Sequence, residues 1–213
     1  MLLVLSSSSS SFSPLDGAFL LSKGAIMEEL IKDNRNIKST KVTLAGKTYE
    51  DITYTDKPVG NAYIQCSWFD DKQMKFMEEG LKAIGQNPTV SLGYSHHPLS
   101  HQYKNINVND HPEVMDDLEW QSSTYLMDVT AMNRSSFGIG LYLPSDEDSG
   151  QAFEQGFLNA CHKPNIIVIP DEEKDIPLNL MIGKGNTDII LLSRLSTYNF
   201  NDIIYKPYKG KVF

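Results

Sequence analysis

From residue 61 onward, short apolar runs of strand length alternate with longer segments of helical period, and that alternation narrows the fold more than any other feature. Residues 62–67, 89–94, 137–143, 165–169 and 187–192 read as strands. Residues 71–84, 112–132 and 150–161 read as helices, and a polar loop rich in His and Asn precedes the second of them. Strands separated by helices pair in parallel, with helices covering both faces of the sheet. The sequence therefore predicts a single α/β domain over residues 61–213, of the flavodoxin-like, Rossmann-like kind. In such sheets ligands collect beyond the carboxyl ends of the strands. That rule directs attention to residues 68–71, 144–149 and 170–181.

Ahead of this domain the pattern is weaker. Residues 1–26 are a serine-rich leader, expected to be disordered, with an apolar start far too short to span a bilayer. Met27 is a second candidate start. Residues 27–60 are expected to form a small extension. It contains an amphipathic piece at 28–33 and a weak hairpin signal at 41–54, where Val42, Leu44, Tyr49 and Ile52 surround Ala45-Gly46.

Charge and motif excluded several classes. A net charge of −8 argues against a nucleic-acid backbone as partner, which demands a basic face. Neither standard glycine-rich phosphate loop is present, which disfavours a triphosphate or dinucleotide site. Cys66 and Cys161 are too few for a disulfide framework, and reduced thiols in a cytoplasmic protein are the simple expectation. His96, His97, His101 and His111 match no standard zinc spacing, so no metal is expected.

Two carboxylates sit where a helical wheel would place apolar side chains. On the helix at 150–161, Glu154 falls between Cys161 and Leu158, with Gln151, Gln155 and Asn159 on the opposite arc. On the helix at 112–132, Asp128 falls among Trp120, Thr124, Met127, Ala131 and Met132. A charge in an apolar stripe is costly unless something offsets its desolvation. Either position could be a stripe edge or a buried ion pair, or the two acids could be functional groups in a semi-buried pocket. Asp148 follows a strand, as a helix N-cap with Gln151 three residues on, or as a group for sugar hydroxyls. Trp68-Phe69 could stack on a ring or pack in the core, and the Gln102 amide could meet a base edge.

The series Trp68-Phe69-Asp70-Asp71-Lys72-Gln73, Gln102-Tyr103-Lys104, Asp110-His111-Pro112-Glu113, Thr124-Tyr125 with Asp128, and Asp146-Glu147-Asp148 resembles the nucleoside 2-deoxyribosyltransferases. It continues through Phe153-Glu154-Gln155-Gly156-Phe157, Ile169-Pro170-Asp171-Glu172, Leu178-Asn179-Leu180-Met181 and Asn199-Phe200-Asn201, with order and spacing kept from residue 62 to 213. The resemblance implies a flavodoxin-like enzyme that exchanges the base on a 2-deoxynucleoside with retention of configuration, without metal or organic cofactor. By position, Glu154 matches the nucleophile and Tyr63 the tyrosine that orients it. Asp128 matches the acid beside the base and sugar, a candidate proton donor to the leaving base. Asp148 and Asn179 match groups on the sugar hydroxyls, and Gln102 a base contact. The resemblance also implies a dimer-based homo-oligomer, commonly a hexamer, in which Asn179 and Met181 reach a neighbouring subunit's site. Free nucleobases and 2-deoxynucleosides are the implied partners, with no membrane and no nucleic acid.

Two departures stand out. The family's glycines before the Trp-Phe pair are replaced by Gln65-Cys66-Ser67, predicting a narrower or more polar floor. The family's chain often ends in tyrosine where this one has Phe213, which removes one hydrogen bond of about 0.5–1.5 kcal/mol. Residues around Gln102 resemble the broad-specificity branch, whereas 162–164 and 178–182 resemble the purine-restricted one; the first predicts broad specificity. A nucleoside N-glycoside hydrolase on the same fold is the nearest alternative, and a non-catalytic nucleoside-binding module a more distant one. A 5′-monophosphate substrate is disfavoured by the acid at Asp148.

Overall fold

The computed structural model describes residues 37–44, 47–54 and 60–213. The amphipathic piece at 28–33 and the leader lie outside the described residues. An antiparallel pair, β1 (Ile37–Leu44) and β2 (Lys47–Tyr54), brackets residues 45–46 with Leu44 opposite Lys47, where the hairpin signal lay.

The main sheet is parallel, in the order β3 (Ala62–Cys66), β4 (Phe137–Leu141), β5 (Asn165–Ile169), β6 (Asp188–Leu191). The first three strands are buried along their whole length, as strands covered on both faces must be. The helices are α1 (Asp71–Gly85), α2 (Leu118–Arg134), α3 (Ser149–Ala160), α4 (Leu180–Gly185) and α5 (Leu192–Leu195).

The strand expected at residues 89–94 does not form. Only two parallel bridges remain on the free edge of β3, Gly60 to Val90 and Tyr63 to His96, and the chain between them tightens into a 3-10 turn at Leu92–Tyr94. The Ser95 hydroxyl donates to the Ser91 carbonyl at 2.7 Å, which holds that turn closed in place of a ladder. Counting the bridged segment as an edge, the order across the sheet is that of a flavodoxin-like fold, 2-1-3-4-5. The helix expected at 112–132 is likewise two pieces. A 3-10 segment at Pro112–Asp116 ends at extended Asp117, whose side chain caps α2 by accepting from Trp120 N–H at 2.7 Å.

One face of the sheet packs α1 against β3 and β4, with Phe76, Met77, Leu81 and Ile84 meeting Ile64, Ile139 and Leu141. The opposite face is different in kind. Gln65 donates to Asn165 Oδ1 at 2.7 Å, Asn165 donates to Asn186 Oδ1 at 2.8 Å, and Asn186 donates to Gln155 Oε1 at 3.3 Å. All four amides are buried, and together with Gln151 they form a polar layer between the sheet and α3. Gln151 donates to the backbone carbonyls of Gln65 and Leu141 at 3.1 and 2.8 Å. The wheel placed Gln151 and Gln155 on the outer arc of this helix; the structure turns them inward. Phe153, which the same wheel places on the apolar side, is half exposed. The layer is stable because amides that satisfy one another escape most of the desolvation penalty.

Candidate active site

The sheet and two helices bring three predicted residues together. Tyr63, fully buried on β3, donates its hydroxyl proton to Glu154 Oε1 on α3 at 2.5 Å. Asp128 on α2 lies close enough to both to act on their charges. Burial pushes the Glu154 carboxyl up to about 8; the Tyr63 hydrogen bond opposes that, and the charges of Asp128 and Asp148 reinforce it. Tyr63 itself is driven well above the usual phenol range by burial and then by the Glu154 charge, so it stays a donor. Both acids are half-buried at the margin of their helices' covered faces, and neither is paired with a Lys or Arg among the described residues. Asp128 instead contacts His96 Nε2, at 2.8 Å from Oδ1.

Asp148 is the N-cap that the sequence offered. It caps α3, accepting from the N–H groups of Gly150 and Gln151 at 3.1 Å each. The capping box is incomplete, because the Gln151 side chain goes to the sheet. Asp148 Oδ2 also accepts from the Ser67 hydroxyl at 3.0 Å. The serine hydroxyl thus occupies part of the acceptor capacity of Asp148.

The turn at the carboxyl end of β3 is set by α1. Asp70 caps that helix by accepting from Gln73 N–H, and the Gln73 side chain reaches back to accept from Phe69 N–H, both at 2.8 Å. Trp68 and Phe69 follow as a tilted aromatic pair 5.4 Å apart, Phe69 largely exposed and the Trp68 indole N–H buried without a partner among the described residues. Gln102 is buried, and its Oε1 accepts from Val108 N–H at 2.7 Å.

Asn179 and Met181 do not join this group within one chain. Asn179 caps the short α4 by accepting from Met181 N–H at 2.9 Å, and the Met181 side chain is three-quarters exposed. Phe213 is also exposed, its backbone paired with Leu178 and Leu180 at 3.0 Å. A cavity of about 460 Å³ between α2 and the 94–101 loop shares His96 with the site, but neither Glu154, Asp128 nor Tyr63 lines it.

Sequence reasoning weighed His96 only as a metal ligand and missed its contact with Asp128. The signal for His96 was its place immediately beyond the interrupted edge strand. Beside it, Cys66 Sγ lies 3.0 Å from His97 Nε2, which has the look of a thiolate–imidazolium nucleophile. Burial drives the thiol up and the imidazole down to about 3, so the pair is neutral and serves packing.

Tyr63→Phe tests the orientation of Glu154. Loss of a hydrogen bond to a charged group is expected to lower kcat/KM about 10–100-fold. Because that bond holds the carboxyl down, its removal moves the acid limb of the pH profile to higher pH. An unchanged limb in a pH series of kcat/KM would contradict the role.

A family model described as nucleoside 2-deoxyribosyltransferase matches residues 62–181. The nucleoside deoxyribosyltransferase of Lactobacillus leichmannii is 36% identical over 156 residues, which cover 73% of this chain and 99% of that one. That of Lactobacillus johnsonii is 37% identical over 148 residues, 70% of this chain and 99% of the relative. In fold, a solved 2-deoxyribosyltransferase of Bacillus psychrosaccharolyticus superposes with a TM-score of 0.54 at 20% identity, over 70% of this chain and 98% of its own. With the fold, the ordered motifs and these likenesses in agreement, the chain belongs to the nucleoside 2-deoxyribosyltransferase family.

Proposed function

We propose that the protein transfers the 2-deoxyribosyl group from one nucleobase to another through a covalent intermediate on Glu154, with retention at C1′. The observation that carries this reading is the Tyr63–Glu154 hydrogen bond at 2.5 Å, with the charges of Asp128 and Asp148 close enough to act on Glu154. As the base departs, the C1′–N electron pair goes to the base and C1′ gains oxocarbenium character. Glu154 donates a pair to C1′, while Asp128 protonates a base nitrogen. The incoming base then attacks C1′, its N–H proton returns to Asp128, and the carboxylate leaves. This is the double displacement of retaining glycosidases. A desolvated carboxylate is suited to it, since the cationic sugar restores the charge partner that burial removed. Asp148 and Asn179 bind the sugar hydroxyls, and Trp68, Phe69 and Gln102 the base.

The site is completed in a dimer-based homo-oligomer, with Asn179 and Met181 donated across the interface. Support comes from the apolar surface left uncovered in one chain: Tyr125 and Phe153 contact each other at 6.5 Å, and both remain more than half exposed.

Incubation with deoxyinosine, with and without adenine or cytosine, tests the activity. A new deoxynucleoside formed only with acceptor base supports transfer. Free deoxyribose regardless of acceptor would support the hydrolase reading instead, and no turnover the binding module.

A further inference from the structure

His96 is placed by the sheet rather than by its loop. Its N–H donates to the Ala62 carbonyl at 2.9 Å, and its carbonyl accepts from Ile64 N–H at 2.8 Å, so the residue is locked in register with Tyr63. That register puts the imidazole on the phenol ring, with centroids 5.4 Å apart and planes within 10°. His101 stacks on His96 at 4.7 Å and is itself anchored to the His97 backbone, its Nδ1 lying 2.9 Å from the His97 carbonyl oxygen. His96 Nε2 meets Asp128 Oδ1 at 2.8 Å, while Asp128 Oδ2 has no partner among the described residues. Each of the two central acids is thus hydrogen-bonded to one member of a single ring stack.

We propose that His96 is the positioning residue for Asp128, and that the stacked Tyr63 and His96 rings form one frame that sets the proton donor against the nucleophile. This rests on the assignment of Asp128 as proton donor. The role asks for the Nε2–H tautomer: His96 holds Oδ1, and Oδ2 is left for the base. When Oδ2–H passes its proton to the departing base, the new carboxylate keeps its Nε2–H donor. The proton of the incoming base then restores Oδ2–H. No proton moves through His96 in either half of the exchange, so its contribution is geometry and stabilisation of the Asp128 charge. A carboxylate free to swing on a half-exposed helix face would spend less time aimed at the base.

The test is a mutant cycle on deoxyinosine-to-adenine transfer, measured in the full chain. His96→Phe keeps a ring on Tyr63 and removes the donor; His96→Gln restores an N–H donor without the ring. His96→Phe is expected to lower kcat about 10–100-fold, short of the ~10²–10⁴ attributable to a general acid, with KM for the nucleoside changed less than ~3-fold. His96→Gln is expected to recover part of that loss. The double variant His96→Phe/Asp128→Asn is expected to be no slower than Asp128→Asn, because the histidine acts only through the acid. Multiplicative losses, an effect confined to KM, or Phe as active as wild type would each overturn the proposal. If His96→Phe does not fold, the same cycle is run with His96→Gln, where additivity is equally fatal. Wild-type activity in Asp128→Asn would instead refute Asp128 as the acid, an outcome distinct from failure of His96 alone.

Discussion

Glu154→Ala is expected to abolish base exchange, by ~10⁴-fold or more, since it removes the group that captures the sugar. Rapid mixing of radiolabelled deoxynucleoside with wild type, followed by denaturation, should leave label on the protein, and the variant should carry none. Exchange retained in the variant would sink the mechanism. The same residue also carries a stability prediction. Its carboxyl goes from an ordinary value of 4.5 to about 8 on folding, so the folded state binds the extra proton between those limits. Stability must therefore fall as pH rises from 4.5 towards 8, and the ionised side chain costs roughly 3–5 kcal/mol above that window. Glu154→Gln keeps an acceptor for Tyr63 and has no charge to bury. It should match wild type in thermal unfolding near pH 4 and exceed it near pH 8. A gap that does not widen with pH would show that the folded carboxyl is not raised.

Gly138→Ala is expected to be the most damaging small change outside the acids. A Cβ at that point of β4 would lie 2.2 Å from Asn165 Oδ1, 2.5 Å from a Leu158 methyl and 2.6 Å from Gln65 Nε2. Those atoms cannot yield cheaply, because the two amides are bonded to each other and Leu158 is fully buried. Overpacking together with a strained buried hydrogen bond is expected to cost about 2–4 kcal/mol. Against a total of roughly 5–15 kcal/mol, that is a large fraction. Chemical denaturation reads it directly as a lower midpoint with an unchanged slope. Gly140→Ala should be milder: its Cβ would meet an Ile167 methyl at 2.7 Å, but no amide closer than 3.2 Å. Equal stability of Gly138→Ala and wild type would mean the layer is not close-packed.

Four of the five strands of the main domain could be read from the sequence because buried strands are written as continuous apolar runs. Residues 165–169 form β5 with the expected ends. The acids were legible for a related reason, a carboxylate at an apolar position being costly enough to be noticed. What failed was the sidedness of α3. A wheel treats glutamine as a solvent residue, and here Gln151 and Gln155 face the sheet while Phe153 faces outward. Mutually satisfied amides and a solvated polar arc have the same pattern of letters, and only the partners on β3, β5 and residue 186 distinguish them. The edge strand failed through local competition, a serine side chain closing a turn at residues 91–95. His96 was hidden because its significance lies in register with a residue 33 positions earlier. That is a property of the sheet, and no spacing within the loop expresses it.

The amide layer has a consequence for descent. Gln65, Asn165, Asn186 and Gln155 form a chain in which most members give and take one bond, and even now Gln155 Nε2 has no acceptor among the described residues. Replacing any one by an apolar residue strands its neighbour's polar atom, while replacing two neighbours together need not. Single steps away from this arrangement are therefore steep, and paired steps shallow. Lineages carrying Gln65 should hold the set as a block or exchange neighbouring members jointly, a covariation that sequencing of near relatives can look for.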